Sequence, residues 1–141
     1  MKYVLDSSTA VKWVLPELPS DEAIRIRDGF RNGAHELLEP DIYTGEVAHA
    51  LTRPECKRVI RTGESLFLLN DVLRTCPDLH ESQPLLFRAC EISSQNRTGF
   101  FDCHYVALAE REACELLTAD DTVLKNLQAQ FPFIVALASL P

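Results

Sequence analysis

Tyr3-Val4-Leu5-Asp6-Ser7-Ser8-Thr9 carries three apolar residues straight into an acid and three hydroxyl side chains. An apolar run that short, cut off by capping residues, predicts a buried strand that hands over to a helix or turn. The same order recurs late in the chain, where Glu115-Leu116-Leu117-Thr118 gives way to Ala119-Asp120-Asp121. Further strands are expected at Glu36–Pro40, around Leu79 and at Phe133–Leu137. Between them fall helical patterns. A brief apolar helix over Ala10–Leu15 should stop at Pro16, and a second, capped by Ser20, should end at Gly33. A third runs from Asp41 to near Pro54, and a fourth spans Glu55–Thr75 with a break signal at Thr62-Gly63-Glu64. Others open at Ser82, cover Asp102–Ala113 and cover Thr122–Gln130. Strands alternating with helices imply an α/β fold with a mainly parallel sheet covered on both faces.

In such sheets, ligands bind outside the carboxyl ends of the strands. That rule selects Asp6 and the Asp120-Asp121 pair, which follow strands and should face one crevice. Glu46 and Asp102 sit in apolar helical stretches, Gly45 to Leu51 and Phe100 to Ala109. A carboxylate there caps a helix, finds a partner or binds a cation. Taken singly, Asp6 and Asp102 read equally well as helix N-caps, Asp120 reads better as a cap than as a ligand, and Glu46 reads as a solvated helix residue, the usual fate of Glu. If Asp6, Glu46, Asp102 and Asp120 converge, each pair about 4 Å apart repels by roughly 4 kcal/mol at an effective dielectric near 20. Convergence would then require protonation or a cation, and an all-oxygen ligand set suits Mg²⁺ or Mn²⁺ rather than zinc.

With 141 residues, 46% of them hydrophobic and 25% charged, the chain is expected to form one domain over 1–141. A net charge of −7 argues against non-specific coating of nucleic acid or anionic lipid, though acids that hold cations are counted in it as bare charge. Five cysteines with no C-x-x-C pair suggest reduced thiols, most of them buried as small hydrophobes. No signal peptide is visible and the longest apolar run, Phe131 to Leu140, is too short for a bilayer. A cytoplasmic protein with no membrane association is the expectation.

Taken together, Leu5-Asp6-Ser7-Ser8, the Pro40–Leu51 stretch with Glu46, Phe101-Asp102-Cys103-His104-Tyr105-Val106-Ala107-Leu108-Ala109-Glu110, and Leu117-Thr118-Ala119-Asp120 resemble the four motifs of PIN-domain ribonucleases. They are most similar to the VapC-type toxins of prokaryotic toxin–antitoxin pairs. The resemblance covers essentially the whole chain, in order. It implies a three-layer α/β/α sandwich, with Asp6, Glu46, Asp102 and Asp120 ligating Mg²⁺ or Mn²⁺ and serving as the catalytic acids. Ser8 and Thr118 would be supporting hydroxyls. Members of the family cut RNA, commonly pair as homodimers and are silenced by a small antitoxin protein. Asp120 keeps the family spacing from Thr118, and Asp121 fits as a first-turn acid of the next helix. His104 departs from the pattern, since a small or aliphatic residue is usual there; it either touches substrate or lies on the helix flank.

Arg53, Lys57, Arg58 and Arg61 follow the Glu46 helix, and the seven-residue spacing from Glu46 to Arg53 allows one helical face to guide RNA phosphates to the acids. For each cation taken singly, a solvated surface position is the commoner outcome. Two bound divalent ions would bring the formal charge from −7 to −3. Trp13, Phe30, Phe67, Phe87 and Phe131 recur at apolar helical positions and are expected in the core rather than as base-stacking platforms. The four histidines lack zinc-ligand spacing. A phosphotransferase of the haloacid-dehalogenase type wants an Asp where Ser8 stands, a receiver domain wants its acid pair early, and no phosphate-binding loop occurs. The remaining rival is a catalytically silent PIN-like module for binding or assembly.

Overall fold

Five short strands form one sheet in the order β3-β2-β1-β4-β5, every neighbouring pair parallel. They are β1 (Lys2–Leu5), β2 (Glu36–Pro40), β3 (Asp78–His80), β4 (Glu115–Thr118) and β5 (Ile134–Ala136). The computed structural model describes residues 1–15 and 20–141, so the stop expected at Pro16 lies outside the described residues. Parallel neighbours need crossovers, and the helices supply them. They are α1 (Ser7–Ala10), α2 (Asp21–Arg31), α3 (Tyr43–Cys56), α4 (Glu64–Leu73), α5 (Leu86–Asn96), α6 (Phe100–Glu112) and α7 (Asp121–Leu127). With its parallel sheet between helices, the chain has a three-layer α/β/α architecture.

β1 is the pivot. It pairs with β2 on one side, Val4 opposite Leu38, and with β4 on the other, Leu5 opposite Leu117. The chain order reverses there, which makes the carboxyl ends of β1 and β4 the switch-point crevice. Val4, Leu5, Leu37, Leu116 and Leu117 are fully or almost fully buried, as strands covered on both faces must be. α6 lies against β1, β2 and β4 and is itself covered by α5. Its residues Cys103 through Ala109 are all buried, so it is a central helix covered on every side between its first turn and the polar Glu110-Arg111-Glu112 at its end.

Local chemistry sets the boundaries. Ser20 caps α2 by accepting from the Ala23 amide at 3.2 Å, and the Trp13 indole donates to the Ala23 carbonyl at 2.9 Å. α3 runs two residues beyond Pro54, because in a last turn the proline forfeits one hydrogen bond without stopping the helix. The single helix expected over Glu55–Thr75 is not formed: Glu55 and Cys56 finish α3, residues 57–63 are a loop and α4 covers only Glu64–Leu73. Gly63 takes φ +89°, and the Glu55 carboxylate closes the loop by accepting from the Gly63 amide and, at 2.7 Å, from the Ser65 hydroxyl. α6 starts at Phe100, two residues before Asp102.

Two expectations about side chains fail. Phe67 and Phe87 are 76% and 92% exposed. Each lies two residues from a buried position, Ser65 and Ala89 or Leu85, and so about 200° round the helix from the core. Most cysteines are not buried either: Cys56, Cys76 and Cys90 are exposed, Cys114 is half-buried and Cys103 alone is in the core. All five thiols are free. Among the described residues no helix is long and apolar enough to cross a membrane.

Candidate active site

Asp6 leaves the end of β1 in extended conformation and caps α1. One carboxylate oxygen accepts from the Ser8 hydroxyl at 2.6 Å, the Thr9 hydroxyl at 3.0 Å and the Thr9 amide at 3.1 Å. The other accepts from the Thr118 hydroxyl at the end of β4. Thr118 Oγ1 in turn accepts from the Asp120 amide at 3.0 Å, and Asp120 caps α7 by accepting from the Thr122 amide at 2.8 Å. Capping and site-building are therefore one arrangement. Asp6 and Asp120 end adjacent strands, and Thr118 holds their backbones in register across the switch point. Asp121 is exposed in the first turn of α7, as its helix-opening position predicts.

The two helical acids arrive from the other side. Glu46, in the first turn of α3, accepts a 2.6 Å hydrogen bond from the hydroxyl of Tyr105 in the core of α6. Burial and the Glu46 charge hold that phenol protonated far above its ordinary range. Asp102 lies in the first turn of α6, its carboxylate over Gly99, where a Cβ would come within 3.1 Å of Asp102 Oδ2. Its carboxyl is pushed up to about 6 by burial first, then by the negative charges of Asp120, Glu46 and Asp6. No hydrogen bond offsets this. Asp120, Glu46 and Asp6 thus lie near enough to Asp102 for their charges to act on it. Asp6 is also raised by burial, its four hydrogen bonds only partly compensating.

A fifth carboxyl escaped the sequence reading. Glu39 of β2 is fully buried, and one of its oxygens accepts from the Leu5 amide at 3.0 Å. That bond closes the β1–β2 seam beside Asp6. Among the described residues the other oxygen has no partner, and neither has the buried Tyr43 hydroxyl. Burial raises the Glu39 carboxyl well above the carboxylate range, with Asp6 and Glu46 adding to it. A signal was available: Glu39 interrupts Leu37-Leu38-Glu39-Pro40, a strand that a parallel sheet buries on both faces.

The cations divide. Arg53 shares one hollow with Ser7, Glu46, His49 and Phe101, and a second with Ser8, Lys12 and Lys57. Lys12 had not been singled out from the sequence. Arg58 and Arg61 line a different depression with Glu55 and Thr62, away from the acids, because the chain turns at Arg58 with φ +60°. His104 is buried, its Nδ1 3.1 Å from the Phe100 carbonyl, so it does not reach the surface where a substrate would lie. Among the described residues no three His, Cys, Asp or Glu side chains are gathered tightly enough to hold a metal ion as they stand. The chemistry of the donors, all of them oxygens and none paired with a base, fits a hard divalent cation.

Comparison with known proteins bears on the family and the fold. A family model described as PIN domain matches residues 3–129. Ribonuclease VapC3 of Pyrobaculum aerophilum is 29% identical over 137 residues, 96% of this chain and 98% of that protein. The crystal structure of PAE2754 from Pyrobaculum aerophilum superposes with a TM-score of 0.71 at 18% identity, covering 99% of this chain and 85% of that one. VapBC2 from Rickettsia felis, solved with a DNA fragment from its promoter, superposes with a TM-score of 0.66 at 14% identity, covering 96% of this chain and 97% of that one.

Proposed function

This chain belongs to the PIN-domain family, similar to its VapC-type members, and we propose from that premise that it is a metal-dependent endoribonuclease, a single domain over 1–141 that acts as the toxin of a toxin–antitoxin pair. One observation carries the proposal: Asp6 and Asp120 end adjacent strands and are tied through the Thr118 hydroxyl, with Asp102 near enough that the charges of Asp120, Glu46 and Asp6 add to burial in raising its carboxyl. The ribonuclease name of the Pyrobaculum relative and the VapBC2 neighbour support the substrate and partner classes.

Asp6, Glu46, Asp102 and Asp120 would hold Mg²⁺ or Mn²⁺, which supplies charge neutralisation at the phosphodiester and a more acidic water. The remaining work falls to the chain itself. Ser8, Thr9 and Thr118 aim the Asp6 oxygens, and Tyr105 fixes Glu46 by donating to it. Arg53, with Lys57 and Lys12 beyond it, offers positive charge to an RNA backbone approaching along the hollow. Exposed Leu66 and Phe67 on α4 provide apolar surface for an antitoxin or a second copy of the chain.

The test is cleavage of a broad RNA pool by purified, antitoxin-free protein in Mn²⁺ or Mg²⁺, beside EDTA and Asp6→Asn. Metal-dependent cleavage lost in the variant is expected. If folded wild type is inert and Mn²⁺ leaves its melting temperature unchanged, the silent-module reading replaces this one.

A further inference from the structure

Phe101 is left 56% exposed one residue before Asp102. An apolar ring in that position is held too firmly to be a stray surface residue. Its ring stacks on buried His104, centroids 5.9 Å apart and planes 23° from parallel, and it meets Phe100 edge-on at 5.4 Å. Phe100 closes the triangle edge-on to His104 at 4.7 Å, and the bond from His104 Nδ1 to the Phe100 carbonyl pins the imidazole. Three rings thus form a rigid stack with its inner members in the fold and the outer ring in the hollow shared by Glu46, His49 and Arg53.

We propose that Phe101 is the floor of a nucleobase subsite, where one base of a single-stranded RNA stacks while an adjacent phosphate lies between Arg53 and the carboxylates. The inference rests on the ribonuclease reading above and extends it to where the substrate is gripped. An aromatic face serves any base, since every base has a π-face, and a preorganised ring loses little entropy on stacking. The surroundings favour a base over a protein partner. Phe101 shares its hollow with Ile42 and Ala50 and with the polar Glu46, His49 and Arg53, and an arginine beside an aromatic face suits a base together with its phosphate. The other strongly exposed aromatics lie elsewhere: Phe67 on α4, and Phe87 beside Arg88, which pairs with Glu110 near the far end of α6. A base needs to be unpaired to lie on this ring, so the subsite selects single-stranded RNA.

The experiment uses RNA hexamers carrying 2-aminopurine, a fluorescent base quenched by stacking, bound to the full chain with Ca²⁺ in place of Mg²⁺. Wild type is expected to quench the probe. Phe101→Ala should bind about tenfold more weakly and lose the quenching, while Phe101→Trp restores both. An abasic site at the stacking position should bind wild type and Phe101→Ala alike. Equal affinity and quenching in wild type and Phe101→Ala overturn the subsite, as does failure of wild type to bind the hexamers. Unchanged RNA binding with a shift in self-association in Phe101→Ala assigns the ring to a protein contact and overturns it too. Asp102→Asn, assayed for cleavage alongside, separates the two readings. Persistent cleavage there removes the nuclease assignment of the acids, and the quenching data still decide the subsite.

Discussion

Asp102 is the residue whose environment makes the sharpest demand. Its carboxyl ionises near 3.8 in the unfolded chain and near 6 in the folded one, so the folded state holds the proton across a window in which the unfolded state has released it. The stability tied to this group is therefore greatest at low pH, falls as pH rises from about 4 to about 6, and stays low above that. Asp6 and Glu39 are displaced in the same direction. In melts free of divalent cations, Asp102→Asn should gain on wild type by about 1 kcal/mol between pH 4 and pH 7, after allowance for solvent screening. Parallel melting curves for the two proteins would contradict the account. Mn²⁺ should raise the wild-type melting temperature more at pH 7.5 than at pH 5, where the proton competes with the ion. Glu39 poses a different problem, because its buried oxygen serves the Leu5 amide whether or not the group is charged. Glu39→Gln keeps that acceptor and should stay within about 1 kcal/mol of wild type, while Glu39→Ala strands the amide and opens space, costing about 2–4 kcal/mol. Denaturant titration decides it; equal losses in the two variants would show that the Leu5 bond is not what Glu39 contributes.

Among the elements, α6 carries the heaviest burden, since its first turn presents Asp102 while its next seven residues are all buried. Small side chains allow this: Ala107 and Ala109 let the helix lie close to its neighbours. Ala107→Leu should cost about 1–3 kcal/mol by overpacking and should cut RNA cleavage further than that loss of folded protein explains, because the helix must shift with Asp102 on it. Cleavage per folded molecule equal to wild type would show that α6 absorbs the change locally. The elements also show why the sequence is readable in some places and opaque in others. Glu36–Pro40 and Glu115–Thr118 match the strands to the residue, because short apolar runs between capping and turn residues admit little else. Asp6 and Asp120 were within reach for the same reason, each being the first polar residue or nearly so beyond a buried strand. Glu46 and Asp102 were not, except through family likeness, because no local pattern says which way a helix turns its acid. Phe67 and Phe87 misled because an aromatic at an apolar spacing carries no mark of which side of the helix the core will take. Arg58 kept its sequence proximity to Arg53 but, turning at a left-handed residue, lines a different hollow.

At the scale of the whole molecule, the net charge of −7 sets the terms of any approach by RNA. A polyanion meeting an acidic protein depends on a few local cations and on whatever positive charge the crevice has taken up. Binding should therefore tighten with added Mn²⁺ and show a shallow dependence on monovalent salt, with Arg53→Ala lowering the slope of log affinity against log salt by about 0.7, the value for one single-strand phosphate contact. A slope unchanged in Arg53→Ala would remove the arginine from the RNA path. The order of the sheet has a further consequence, in the time of synthesis. β1 is made first and stands at the centre, but one of its two neighbours is β4, more than a hundred residues later in the chain. Thr118 and Asp120 travel with that late strand, so a nascent chain that ends before it carries Asp6, Glu46 and Asp102 but neither the fourth acid nor the hydroxyl that aims the second oxygen of Asp6. On the reading proposed above, a crevice built across such a seam is incomplete until synthesis is nearly over, and a transcript cut short before β4 would yield a polypeptide without it.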